Sequence, residues 1–256
     1  MFSKQLYIGT STWSQSDWVG NYYPPNAKPA DYLVHYTKGF RTVEVDSTFY
    51  AIPRPQIVQG WYSKTPSDFR FCAKLPQRIT HEKLLLDVKD DLLHFLNVIS
   101  ELREKLLAIL IQFPPSFAAS LETVEEMKAF LFQLPPSIRF SLEVRHPSWL
   151  REKFYERLSK HNVALTLTDQ PAMNQMGEPL WVETADFLYL RWLGNRKLIH
   201  EPFNKVVLNK DADLRQWAQK VKATKIQTVM GYFNNHFSGH SPTSAKEFIS
   251  YLESPE

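Results

Sequence analysis

The sequence predicts an α/β protein: a single (β/α)8 TIM-type barrel over residues 1–256, with some helices irregular or shortened. Three observations point there. Eight short apolar runs recur, beginning near Leu6, Thr42, Arg70, Leu107, Arg139, Ala164, Phe187 and Thr228, with starts 23 to 41 residues apart. Such spacing holds a strand, a loop, a helix and a return loop, and strands alternating with helices pair in parallel. Eight such units in about 250 residues is the size of this barrel. The competing doubly wound sheet usually carries G-x-G-x-x-G after its first strand. Here that strand runs into Gly9-Thr10-Ser11-Thr12-Trp13, in a chain with only eight glycines.

Alternation sorts the two faces of each strand. In the second, Val43 and Val45 oppose Thr42, Glu44 and Asp46. In the third, Phe71 and Ala73 oppose Cys72 and Lys74. Residues 90–103 then form a helix with Leu92, Leu93, Phe95, Leu96, Ile99 and Leu102 on one apolar stripe. In the fourth strand Leu107, Ile109 and Ile111 oppose Ala108, Leu110 and Gln112. Ser120 caps the next helix, which carries Leu121, Val124, Met127 and Phe130 inward. In the fifth, Phe140, Leu142 and Val144 oppose Ser141, Glu143 and Arg145; His146-Pro147-Ser148 then opens a helix through Phe154, Tyr155 and Leu158. The interval between Asp169 and Phe187, with Pro171, Gly177 and Pro179, reads as mostly loop. In the seventh strand Leu188 and Leu190 oppose Tyr189 and Arg191, and helices at 212–221 and 244–252 complete the pattern.

Composition narrows the function classes. Lys and Arg number 30 against 27 Asp and Glu, too even and too scattered to indicate nucleic-acid binding by bulk charge. One cysteine, Cys72, excludes an internal disulfide framework and a cysteine-cluster metal site. The start, MFSKQLYIGTSTW, has no long apolar region or small-residue cleavage site, and the most apolar run, 106–113, is too short to span a bilayer. A cytoplasmic protein without membrane partners is expected.

The purely apolar face of each strand should meet the helices, which turns the other face toward the barrel axis. Glu44, Lys74, Gln112, Glu143, Arg145 and Arg191 should then converge at the C-terminal end, where barrel enzymes keep their chemistry. Asp46 joins them. One reading is an ion-pair network that closes the barrel. The preferred reading is a ligand site in which Lys and Arg grip an anion and a Glu moves a proton, because so many polar groups at one end are expensive for stability alone. Aromatic residues crowd the same loops, among them Trp13, Trp18, Tyr22, Tyr23, Phe49, Tyr50, Trp149 and Trp192. Such rings anchor loops more often than they stack on ligands.

These motifs resemble the YecE-like family, domain-of-unknown-function family 72. The matching pieces are GTSTW at 9–13, YYP at 22–24, TVEVDSTFY at 42–50, FCAKLPQRITH at 71–81, QFPPSF at 112–117, LEVRHPSW at 142–149, YLRWLG at 189–194 and YFNNH at 232–236. The resemblance implies a TIM-type barrel and brings no reaction with it. Three positions depart from the family pattern: Asp46 where Asn is frequent, Leu193 where His is common, and Ser244 where Asn is frequent.

Several chemistries compete. A retaining glycosidase needs two carboxyls about 5 Å apart; Glu44 and Glu143 are the inward pair, but that class, by resemblance, places its acids after strands 4 and 7, where Gln112 and Arg191 stand. A metal-dependent isomerase or phosphodiester-cleaving barrel could draw on Glu44, Glu143, Asp169, His146 and His236, against three nearby cations; no metal is assigned. His146 can equally cap a helix, and His81 is expected on a loop surface. Cys72 reads as inert packing, and Lys74, near glutamates, as an ammonium rather than a Schiff-base nucleophile. The favoured expectation is an enzyme acting on a small polar or anionic substrate by acid–base chemistry. Glu143, Glu44 and Lys74 are its catalytic candidates, and Arg145, Arg191, Gln112, Asn235, Trp13, Tyr50, His146 and Asp169 contact the substrate. Arg191 and Asn235 suit a phosphate site after strands 7 and 8. The alternative is a non-catalytic ligand-binding or interaction protein using the same pocket. The cofactor is left open.

Overall fold

A computed structural model describes residues 4–174 and 179–254. Among these, eight parallel strands form a nearly closed barrel: β1 Gln5–Thr10, β2 Thr42–Val45, β3 Arg70–Lys74, β4 Leu106–Gln112, β5 Phe140–Glu143, β6 Val163–Thr168, β7 Phe187–Trp192 and β8 Thr228–Phe233. The hydrogen-bonded order runs β1-β8-β7-β6-β5-β4-β3-β2. Helices lie between them: α1 Tyr32–Tyr36, α2 Pro55–Ser63, α3 Lys89–Ile99, α4 Leu121–Leu131, α5 Glu152–Lys160, α6 Asp211–Ala223 and α7 Ser241–Glu253. None of the described helices is long and apolar enough to cross a membrane.

Each strand starts within one residue of its apolar run. The helices are where the pattern shortens. α1 has five residues, and the expected helix at 90–103 stops at Ile99 and continues as a 3-10 turn over Ser100–Lys105. The predicted Ser120 cap is formed as a capping box with Thr123. After β5 a 3-10 turn, Pro147–Trp149, precedes α5, and a 3-10 turn at Pro171–Met173 is the regular structure between β6 and Pro179 that the described residues include. Gly177 lies outside the described residues.

Face parity holds for all five strands read, with one exception. Val43, Val45, Phe71, Ala73, Ile109, Ile111, Leu142, Leu188 and Leu190 pack in the layer with the helices, whereas Cys72, Ala108, Leu110, Tyr189, Met230 and Tyr232 fill the axis. Leu107, expected among the helix-facing residues, belongs to the axial cluster. The register explains it: Phe71 pairs with Leu106 and Cys72 with Ala108, so Leu107 is an extra residue on β4. A bulge of this kind breaks the alternation locally.

The barrel closes at the β1–β2 seam through a side chain. The Tyr36 hydroxyl of α1 accepts from the Thr10 N–H at 2.9 Å and donates to the Thr42 carbonyl at 3.0 Å. It replaces the ladder bond that the two strands would exchange. Only a residue without a side chain fits beside it, because a Cβ on Gly9 would lie 2.3 Å from the Thr42 oxygen. Burial pushes the Tyr36 hydroxyl up from its usual value, so it stays protonated and keeps donating.

Candidate functional site

At the C-terminal end of the strands the axial side chains change from apolar to charged. Lys74 ends β3, Gln112 β4 and Glu143 β5, and Glu44 and Arg191 each lie one residue before the end of β2 and β7. All five are buried. The parallel register sets Gln112 beside Glu143, and strand tilt carries the rest to the axis.

Arg191 is the centre. Its Nε and Nη2 donate to Glu44 Oε1 at 3.1 and 2.8 Å, and its Nη1 donates to Glu143 Oε2 at 2.5 Å. Tyr189 donates its hydroxyl to the other Glu44 oxygen at 2.7 Å. Arg145 Nε donates to Glu143 Oε1 at 2.6 Å. Lys74 Nζ donates to Asp46 Oδ1 at 2.9 Å and lies 4.0 Å from the centre of the Phe49 ring. The two backbones are tied together by Thr48, whose hydroxyl donates to the Lys74 carbonyl at 2.7 Å. Three carboxylates thus face three cations, which is what buried charges require.

The two glutamates are pushed apart. Burial raises the Glu44 carboxyl above its ordinary value, against Arg191. Burial works on Glu143 too, but Arg145 and Arg191 together hold it down at about 2. Lys74 is lowered by burial in spite of Asp46. Asp46 is partly buried, which works against its charge, yet Lys74 and Arg191 hold it below its usual range.

His81 belongs to this mouth and was not expected there. It lies in a short π-helical turn, Arg78–Glu82, after β3. The ring is half-buried, meets Phe49 edge-on at 4.9 Å and places Nε2 3.4 Å from Gln112 Nε2. Burial, then Lys74 and Arg145, lower it to about 4, so it is neutral at pH 7. Its signal was its place in the FCAKLPQRITH segment; the π-helical turn that brings it back over the strand end has no simple periodicity.

Other candidates have different surroundings. Asp169 accepts from the backbone N–H groups of Leu193 and Gly194 at 2.7 and 2.9 Å, and burial raises its carboxyl. It fixes the loop after β7 and lines an open cleft beside the mouth. Asn235 Oδ1 accepts from the Ser241 N–H and hydroxyl at 3.0 and 2.7 Å, capping α7. His146 Nδ1 accepts from the Ser148 N–H at 3.2 Å, the capping role. Trp13 packs on Trp61 and Phe71 in the layer between barrel and α2. Tyr50, 66% exposed, stands against Phe49 at the rim. His236 bonds the Ile199 carbonyl.

Among the described residues no group of three His, Cys, Asp or Glu converges to hold a metal ion. The space between Glu44 and Glu143 holds the Arg191 guanidinium instead. Cys72 accepts from the Tyr232 hydroxyl at 3.0 Å, and burial pushes its thiol up to about 12, the state of an inert packing residue.

The comparisons agree with this barrel. A solved DUF72 family protein from Thermotoga maritima superposes with a TM-score of 0.83 at 32% identity, covering 98% of this chain and 100% of that one. A DUF72 protein from Enterococcus faecalis gives 0.76 at 20% identity over the full length of both, which speaks for the fold alone. In sequence, UPF0759 protein YunF of Bacillus subtilis is 25% identical over 97% of this chain and 95% of its own length. UPF0759 protein YecE of Escherichia coli K12 is 34% identical over 112 residues, 44% of this chain and only 39% of YecE. The model of the family described as "Protein of unknown function DUF72" matches residues 7–256, so this chain belongs to the DUF72 family.

Proposed function

We propose that the protein is an enzyme acting on a small polar, anionic substrate by acid–base chemistry at the C-terminal face of the barrel. One observation carries this reading: the buried network has an open edge. Glu44, Glu143 and Arg191 are sealed at 0 to 2% side-chain exposure, but Asp46 keeps 26% and Arg145 30%. A network that served only to close the barrel would have no reason to present two charged members to solvent.

The roles follow from what each side chain has left to offer. Arg145 uses only Nε on Glu143, and its Nη atoms carry no hydrogen bond among the described residues; they grip the anionic group. Lys74, lowered in pKa and paired with Asp46, is the proton donor, and Asp46 the acceptor that resets it. Glu143 and Glu44, with all four oxygens bonded inside the barrel, position Arg145 and Arg191. His81 and Gln112 form the neutral wall.

A specific observation favours a second reading, a non-catalytic ligand-binding protein: the charges of Glu44, Glu143 and Arg191 are already paired off. A turnover screen of phosphorylated and carboxylated small molecules separates the two. Lys74→Ala should lower the rate 100-fold or more, the usual scale of general acid–base catalysis, with the circular dichroism of the folded protein retained at the assay temperature. Binding without turnover selects the second reading. Unfolding of both Lys74→Ala and Arg145→Ala leaves the network purely structural.

A further inference from the structure

The cleft beside the mouth does something that the buried network cannot. It is an open hollow of about 650 Å³ walled by residues 169–171 after β6 and by the loops after β7 and β8, with Arg145 at its edge. Among the described residues, Arg145, Arg196, Lys197 and Lys210 line it against a single carboxylate, Asp169. That carboxylate has both oxygens on backbone N–H groups. Lys210 pairs with Asp213 at 2.9 Å. Arg196 and Lys197 have no ion pair among the described residues.

The loop that presents Arg196 and Lys197 is held, not draped. Asn195 donates its N–H to the His236 carbonyl and accepts at Oδ1 from the Lys197 N–H at 2.9 Å. Gly194 lies flat on the next loop at φ +65, where an added Cβ would be 1.9 Å from the His236 oxygen. Gln170 Nε2 donates to the Gly194 carbonyl at 3.0 Å. A backbone held in this way need not reorganise when an anion arrives, so only the two side chains have to be ordered.

We propose that this cleft seats the phosphoryl group of a small phosphate monoester, with the Arg145 fork, Arg196 and Lys197 as its ligands. Taken with the reading above, on which this extension rests, the substrate is then a phosphorylated small molecule whose remainder reaches Lys74 and Asp46. A dianion uses several cations at once, and the free Nη edge of Arg145 matches two of its oxygens. Loops after strands 7 and 8 are where barrels commonly hold phosphate. The sequence had assigned that task to Arg191 and Asn235, but both are committed inside the fold.

Calorimetric titration with inorganic phosphate at fixed ionic strength, with chloride as the control, tests the seat. The wild type should bind phosphate saturably, and the R196A/K197A double variant at least tenfold more weakly, with its phosphate-free melting temperature unchanged because both side chains are exposed. Equal heats for phosphate and chloride, or equal affinity in the double variant, overturn the seat. Saturable phosphate binding without turnover of any phosphate ester removes the catalytic reading and leaves the seat standing. Turnover of an unphosphorylated substrate by a protein that ignores phosphate does the reverse.

Discussion

Arg191, near the top of β7, donates from two of its nitrogens to one and the same oxygen of Glu44, at the top of β2. Those strands are not neighbours in the sheet, so the pair holds the barrel end across the axis rather than along a ladder. The remaining Arg191 nitrogen bonds Glu143. One guanidinium therefore bridges two carboxylates that have no solvent to turn to, and Arg145 on Glu143 supplies the second positive charge.

Replacing Arg191 by methionine should be severe. It leaves Glu44 with only Tyr189, and Glu143 with only Arg145. Removing one partner of a buried ion pair costs about 3–5 kcal/mol. Urea denaturation should show a loss of that order, and Glu44→Gln in the same chain should recover part of it. A loss below about 1 kcal/mol would mean that the network does not hold the barrel together.

The acid limb of stability should carry the signature of Glu143. Its folded value of about 2 lies below the usual glutamate value near 4.3, so its contribution is present above that value and lost as pH falls toward 2. The full effect is about 3 kcal/mol. Asp46 is lowered too and acts in the same sense; Glu44, raised, acts in the opposite one. The stability difference between wild type and Glu143→Gln should therefore shrink between pH 5 and 2. Denaturation curves giving the same difference at pH 7 and pH 3 would contradict the assignment.

The β1–β2 seam can be tested with a single atom. Tyr36→Phe removes the hydroxyl and leaves the Thr10 N–H and Thr42 carbonyl buried without that partner. An unsatisfied buried group costs about 1–3 kcal/mol. A total of about 2 kcal/mol or more is expected in chemical denaturation, with faster hydrogen exchange at Thr10. A neutral result would mean that water or a direct ladder bond can close the seam.

Gly194→Ala should damage the cleft locally. The left-handed backbone costs a side chain about 1–2 kcal/mol, and the Cβ overlaps the His236 carbonyl, so the loop must move. Phosphate affinity should fall at least as far as in the R196A/K197A variant, and stability should fall with it. Unchanged affinity would show that the position of this loop does not matter to the anion.

Much of this molecule is legible in its sequence. The eight strand starts follow from apolar runs, and Glu44, Lys74, Gln112, Glu143 and Arg191 from simple parity, because a strand's period of two turns every second side chain to the axis whatever surrounds it. Tertiary structure alone decided the rest. Leu107 changed sides because β4 carries one residue more than β3 can pair. Asn235 caps α7, His81 joins the mouth and Tyr36 seals the seam because loops and helix ends have no period from which to infer direction. The partition of charge also belongs to the folded state alone: a chain that lists three acids and three bases does not say that Arg191 takes two of the acids. Nor does it say that Arg145 is left with a free edge toward the cleft, since pairing depends on distances of a few ångströms between segments up to 147 residues apart.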